Sequence, residues 1–322
     1  MKKNKAFSLV ELSVVILIIG ILIAGVTQSG RLIRQIKLST ARSVTSSSDV
    51  TSIRDITAWF EATSEGVFTD SNGNTDVEDK ATIKAWRDVN PQKSTGDKPT
   101  LTDLGGTGTE PKYISSGING IPSVYFDGGD YLASIVAPTM PLISLDKTYS
   151  MFAVFRADLG KAATKSIITQ IGGDNSTYSP QTFASIGFTS ASGNGNPGLI
   201  TGPDADASWV KNTKINDQTD YIVGALVDFA TPSPVTTDSV KLYVNSLNSL
   251  VYSADVASKS TIPPAPTQVL AEKFTVGANV KTTTSEHFTG MISEVIIFDR
   301  KLKDEEAQSV MKYLRKKYNI NN

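Results

Sequence analysis

The chain has 322 residues, 39% of them hydrophobic, which is enough to bury one large core or two smaller ones, and its formal net charge of −1 argues against a nucleic-acid-binding surface. It contains no cysteine and a single histidine, His287, which excludes disulfide scaffolds, thiolate metal sites, cysteine nucleophiles and histidine clusters. Charge is unevenly spread: residues 1–60 carry a balance of +5 and the remainder −6, so the basic part is N-terminal.

Lys2, Lys3 and Lys5 precede twenty residues, Phe7 to Val26, whose only charge is Glu11. As a helix rising ~1.5 Å per residue this run is ~30 Å long, the thickness of a bilayer's hydrocarbon core. Lysines before the run and none within it predict a cytoplasmic N-terminus, with everything after the helix outside. A carboxylate in such a run costs ~2.5–3.5 kcal/mol on insertion scales and is usually retained for a partner, such as a free α-amine.

The stretch Lys5-Ala6-Phe7-Ser8-Leu9-Val10-Glu11-Leu12 resembles the leader-peptidase site of type IV pilins and of the related pseudopilins. The resemblance implies a leader peptide of residues 1–6, cleavage between Ala6 and Phe7, methylation of the new N-terminus and retention of the membrane anchor. It also implies that Glu11 neutralises the α-amine on Phe7 of a neighbouring subunit while the hydrophobic helices pack. Ala6 stands where Gly is usual, and no proline interrupts the helix near Val26 to Ser29; Gly20 and Gly25 are expected to supply local flexibility instead.

After Gly30, Leu32, Ile33, Ile36, Ala41, Val44, Ile53 and Ile56 recur at helix-like spacings among Arg31, Arg34, Lys37, Arg42 and Arg54. The anchor is therefore expected to continue into solvent as a stalk, residues 7–57 forming one transmembrane and stalk helix. The Ser-rich stretch Ser43 to Ser52 has poor helix propensity and is expected to act as a hinge or locally melted segment.

From Trp59 onward short β-rich runs take over: Ser123 to Phe126, Ser150 to Arg156, Ser166 to Ile171, Tyr221 to Asp228, Ser239 to Asn245, Phe274 to Gly277 and Met291 to Phe298. Many short strands predict a mainly β fold, a sandwich or jelly roll over residues 58–322. Leu302 to Tyr318 reads as a closing helix, with Asp304, Glu305 and Glu306 in its first turn and Arg315, Lys316 and Lys317 in its last, as the helix dipole favours. The runs Ala85-Trp86-Arg87-Asp88, Asn119 to Leu132, Val240 to Asn245 and Gly290 to Asp299 together resemble laminin-G-like or concanavalin-A-like jelly-roll modules of bacterial surface proteins.

Within this domain Phe126 to Tyr131 has a turn core in which Gly128 and Gly129 serve backbone geometry, and Trp59, Trp86, Phe298 and Tyr313 are expected in the core. Trp209, which follows a polar loop carrying Asp204 and Asp206, is the candidate for stacking on a ligand. Asp70, Asn72, Asn74 and Asp76, followed by Glu78, alternate as in a calcium loop, although Gly73 comes too early for the EF-hand turn and Ala81 stands where the bidentate Glu belongs. Asp127 and Asp130, with Asp204 and Asp206, are a second candidate for Ca2+. A catalytic role is not expected: the Glu-x-Asp-x-x-Glu arrangement of related glycosidases is absent, Glu294 and Asp299 fall on opposite strand faces, and Ser285-Glu286-His287 is a loop coincidence.

These features point to a non-enzymatic pilin-like filament subunit, a minor or adhesive pilin displaying a jelly roll that binds a glycan or a surface protein. Its expected partners are the membrane, other pilin subunits and the leader peptidase, with no nucleic acid. It would sit in the bacterial inner membrane as a precursor and in a surface filament after assembly. The alternatives are a pseudopilin of a secretion or DNA-uptake machine, or a membrane-anchored lectin-like protein that never polymerises.

Overall fold

The computed structural model describes residues 9–104, 108–135, 142–143, 148–159, 165–172, 182–188, 199–201, 215–228, 240–251, 271–280 and 285–321. Helix α1 (Leu9–Ser46) runs unbroken for 38 residues, ~57 Å at the helical rise. Gly20 and Gly25 lie within continuous helix, with no break at either position.

The Ser-rich stretch is not a melted hinge. Its hydroxyls finish the helix: Thr45 Oγ1 donates to Ala41 O at 3.0 Å and Ser47 Oγ to Ser43 O at 2.8 Å, satisfying carbonyls that a helix end leaves unpaired. Ser48 then caps a 3-10 turn (Asp49–Ser52) by accepting from Val50 N at 3.1 Å, and Val50 is fully buried. Residues that weaken a helix interior are well suited to ending one. The rod also stops sooner than the spacing of Ile53 and Ile56 suggests, since Ile56 opens the first strand.

The strands are β1 (Ile56–Glu61), β2 (Phe68–Asp70), β3 (Ile83–Arg87), β4 (Thr100–Thr102), β5 (Lys112–Ile114), β6 (Ser123–Asp127), β7 (Leu132–Ile135), β8 (Thr148–Ala157) and β9 (Lys165–Gly172). They continue as β10 (Thr182–Phe188), β11 (Leu199–Thr201), β12 (Asp220–Asp228), β13 (Val240–Val244), β14 (Leu250–Val251), β15 (Ala271–Val276), β16 (Ala278–Val280), β17 (Ser285–His287) and β18 (Thr289–Phe298). Helix α2 (Asp304–Tyr318) closes the fold.

Two antiparallel sheets face each other. One runs β14-β13-β12-β8-β18-β6-β5, with β1 also on β18; the other runs β11-β10-β9-β15-β7-β4-β3-β2. The Phe126 to Tyr131 turn carries the chain from β6 in the first sheet to β7 in the second. Gly128 has φ +100°, a conformation that suits glycine, and a Cβ there would meet Thr289 Oγ1 at 2.7 Å.

The first sheet is covered on both faces, which explains its nearly continuous apolar strands. Phe60, Val124, Phe155, Val223, Val295 and Ile297 face the second sheet, where Trp86 and Phe274 meet them. Trp59, Phe152, Ile222, Ile296 and Phe298 face outward under α2 and the base of α1, packing with Ala41, Val50, Val310, Met311, Leu314 and Tyr318. The four aromatic residues expected in the core, Trp59, Trp86, Phe298 and Tyr313, are all buried. Helix α2 presents Ala307, Val310, Met311, Leu314 and Tyr318 along one stripe, and Glu306 caps its start by accepting from Lys303 N at 2.9 Å.

Strand β18 changes partner along one edge. Thr289 to Ile292 pair with β6, whereas Glu294 to Phe298 pair with β1, and the register shifts between Ile292 and Glu294. The shift reverses the alternation of faces, so Ile292 points into the sandwich while Glu294 joins the α2 side.

Candidate functional site

Two features bear on function: the free length of α1 and the seat that holds its base. Leu9, Val10, Leu12, Val14, Val15, Ile16, Leu17, Ile18, Ile19, Ile21, Leu22 and Ile23 are all exposed, as are Leu32, Ile33 and Ile36 further along. An 18-residue window of this helix has mean hydropathy 2.8 and none of it is buried, so the helix is long and apolar enough to cross a membrane. Glu11 stands exposed within the run. Helices of soluble domains bury such surface; this one presents it on every side.

The base of α1 is locked to the sandwich. Arg42 donates to Thr63 O at 2.6 Å and to Glu65 at 2.5 Å; Thr45 Oγ1 and Tyr313 OH are 3.1 Å apart; Lys37 Nζ donates to Asn119 O at 3.0 Å. Behind these contacts lies a buried ionic cluster. Glu61 ends β1 and stands directly opposite Glu294 on β18, a like-charge pair that would repel without a counterion. Lys317 of α2 supplies it, donating at 2.8 Å to each carboxylate and at 3.1 Å to Tyr313 OH.

The remaining valences are filled. Glu294 accepts from Trp59 Nε1 and Tyr313 OH at 2.7 Å on one oxygen, and from Lys317 and Tyr318 OH, the latter at 2.9 Å, on the other. Glu61 accepts from Thr63 N at 2.9 Å, Ser64 N at 2.6 Å and the Thr63 hydroxyl. Burial pushes the Glu61 carboxyl up, but the Lys317 ammonium and the Ser64 and Thr63 donors outweigh it and hold the group at about 2. Burial likewise pushes Lys317 down, and the charges of Glu294 and Glu61 more than reverse this. Tyr313 and Tyr318 are raised well above the ordinary phenol value by burial and then by the same two carboxylates.

Lys317 therefore does not serve the helix dipole at the surface, as its last-turn position suggests; its side chain is fully buried. Glu294, the acid paired with Asp299 in the catalytic comparison, has its carboxylate saturated inside the core. Neither Glu61 nor Lys317 stands out by motif. A usable signal exists nonetheless: Glu61 and Glu294 are each a single carboxylate in an apolar strand run, the cue that marks Glu11 in the helix.

The calcium-loop residues form a turn. Asp70 Oδ1 accepts from Asn72 N and Asn74 N at 2.8 Å and Oδ2 from Asn74 Nδ2 at 3.0 Å, and these bonds, led by the Asn74 side chain, lower its carboxyl. Asp76 instead lines a cleft of about 450 Å3 with Arg42, Thr63 and Tyr113. Gly129 N donates to Asp127 Oδ1 at 3.0 Å, and Asp127 N donates to Asp130 Oδ2 at 2.9 Å. Burial pushes Asp130 up to about 6. Among the described residues, no three acidic or imidazole side chains are grouped to hold a metal ion. Asp88, which accepts from Trp59 N at 2.7 Å and Asn90 N at 2.9 Å, is also pushed up to about 6 by burial. Ala6, Phe7, Asp204, Asp206 and Trp209 lie outside the described residues.

Comparison with known proteins agrees with this division. No curated protein sequence matches the chain. Two solved structures of Trypanosoma rangeli sialidase, one with 2,3-difluorosialic acid as a covalent intermediate and one with sialic acid, resemble it at 11% identity with TM-scores of 0.51 and 0.50. In each case the likeness covers 82% of this chain and 33% of the other, so the chain spans about a third of their length, and it is a likeness of fold, a β-sandwich. Residues 1–27 match the family described as "Prokaryotic N-terminal methylation motif", and that matched segment leads into the exposed apolar helix and its β-sandwich.

Proposed function

We propose that the chain is a filament subunit, a minor or adhesive pilin whose sandwich is displayed to bind a glycan or another surface protein. The observation that carries this reading is the continuity of the methylation motif with a helix that is apolar on all sides and clamped at its far end. A leader peptidase cuts between Ala6 and Phe7, and the precursor waits in the inner membrane with its sandwich outside. In the filament Glu11 pairs with the α-amine of a neighbouring Phe7. That pairing is favourable in a low-dielectric bundle because each charge would otherwise stand there alone. The clamp passes load from helix to sandwich through Arg42 and Thr45. The sandwich works by binding rather than turnover, a reading supported by Glu294, whose lone pairs are consumed within the core.

N-terminal sequencing of protein from sheared surface material tests the reading. A chain starting at Phe7, lost from that fraction in Glu11→Ala while membrane insertion persists, is the expected result. A chain starting at Met1 and confined to membranes would overturn it. A processed chain never found in sheared fibres would favour the pseudopilin alternative.

A further inference from the structure

Helix α1 leaves the sandwich with two different faces. Arg31, Arg34, Gln35 and Leu38, spaced i, i+3, i+4 and i+7, line a cleft of about 280 Å3 whose other wall is Tyr113, Ser115, Gly120 and Pro122 at the rim of the sandwich. Both arginines are exposed, and neither carries an ion pair among the described residues; the nearby pairing goes to Arg42 with Glu65, while Lys37 is tied to Asn119. Asp79, an acid that feels the charge of Arg34, is itself engaged by the backbone and hydroxyl of Ser115 at 2.8 Å.

The depth of this cleft is set by the helix. If Phe7 to Val26 fills the hydrocarbon core, the Cα atoms of Arg31 and Arg34 lie ~7.5 Å and ~12 Å beyond its edge, next to a headgroup layer ~5–8 Å thick. Helical side chains lean toward the N-terminus, here toward the bilayer, so both guanidinium groups swing back to headgroup level. A guanidinium presents paired N–H donors that match phosphate oxygens, and two of them one turn apart suit a single phosphodiester.

We propose that the cleft between α1 and the sandwich rim seats the phosphate of an anionic phospholipid headgroup, held by Arg31 and Arg34. The contact fixes how the sandwich stands on the membrane before assembly. It rests on the reading that α1 crosses the bilayer with the sandwich outside. The chemistry would also accept a free phosphate, but the depth and lean of the arginines favour the lipid.

The test uses the full chain in detergent micelles, titrated separately with short-chain phosphatidylglycerol, short-chain phosphatidylcholine and inorganic phosphate, with bound molecules counted by native mass spectrometry. Phosphatidylglycerol should bind in preference to the other two. The double variant Arg31→Gln and Arg34→Gln should weaken that binding on the order of tenfold, while Arg54→Gln leaves it unchanged. Equal binding by wild type and double variant would overturn the proposal, as would inorganic phosphate binding as well as the lipid. Alkaline carbonate extraction separates the two readings: a chain washed from membranes overturns the spanning helix and the lipid site together. An integral chain without arginine-dependent lipid binding overturns only the latter.

Discussion

Between Leu9 and Ile36 helix α1 turns apolar side chains outward, whereas at its base the sandwich encloses two carboxylates and an ammonium. The two regions reverse the usual placement, and each is stable only with a partner. The outer length needs a nonaqueous surrounding, a bilayer or neighbouring helices. The inner cluster carries its partners with it, because Lys317 separates Glu61 from Glu294 and the phenols and indole fill what remains. One region is left open to association, and the other gives the same helix a fixed attachment.

Removing the partner from the closed region should have the largest effect. Lys317→Ala leaves two carboxylates facing each other in the core and should destabilise the sandwich by ~3–5 kcal/mol in denaturant titrations of the full chain in micelles. A loss below ~1 kcal/mol would show that water or a proton replaces the ammonium.

A cut placed between the regions sharpens the contrast. A fragment beginning at Thr40 keeps Ala41, Thr45 and Val50 and should fold, while one beginning at Ile53 gives up that packing and should be less stable by ~2–4 kcal/mol in a thermal melt. Equal stability would mean that the base of α1 rests on the sandwich without supporting it.

Acidity separates the buried carboxyls by sign. Asp88 and Asp130, raised to about 6, bind protons more tightly when folded, so stability should grow as pH falls from 7 toward 5, on the order of 1–2 kcal/mol. Glu61, depressed to about 2, contributes stability above its ordinary value near 4.5 and loses it as pH falls from there toward 2. The free energy of unfolding, measured against pH, should therefore be greatest near pH 5, and a stability profile rising steadily to neutrality would contradict the burial of Asp88 and Asp130.

The smallest effects mark the boundary itself. Thr45→Val removes the hydroxyl that meets both Ala41 O and Tyr313 OH and should cost ~0.5–1.5 kcal/mol, whereas Leu32→Ala, on the exposed length, should change sandwich stability by less than ~0.5 kcal/mol. Similar losses from both would erase the distinction between the two lengths of helix.

Much of this was legible in order along the chain. The lysines, the twenty-residue run and Glu11 are a local pattern, and the motif match to residues 1–27 falls on it. Each of the seven β-rich runs overlaps an observed strand, and the closing helix begins within two residues of the expected start, because acids, bases and apolar spacing report local geometry directly. The Ser-rich segment differs from expectation because low propensity identifies where a helix ends, not whether the chain beyond it is anchored. Lys317 departs from the dipole expectation because that argument takes in its own helix alone.

By itself the sequence determined the long apolar run, the β-rich character of the large domain and the position of α2, all consequences of patterns a few residues long. Only the tertiary structure decided that Lys317 meets Glu61 from 256 residues away and that Glu294 faces α2. The physical reason lies at the register shift before Glu294: one irregular residue in β18 reverses which face every later side chain occupies, and that irregularity arises where β6 and β1 meet along a shared edge.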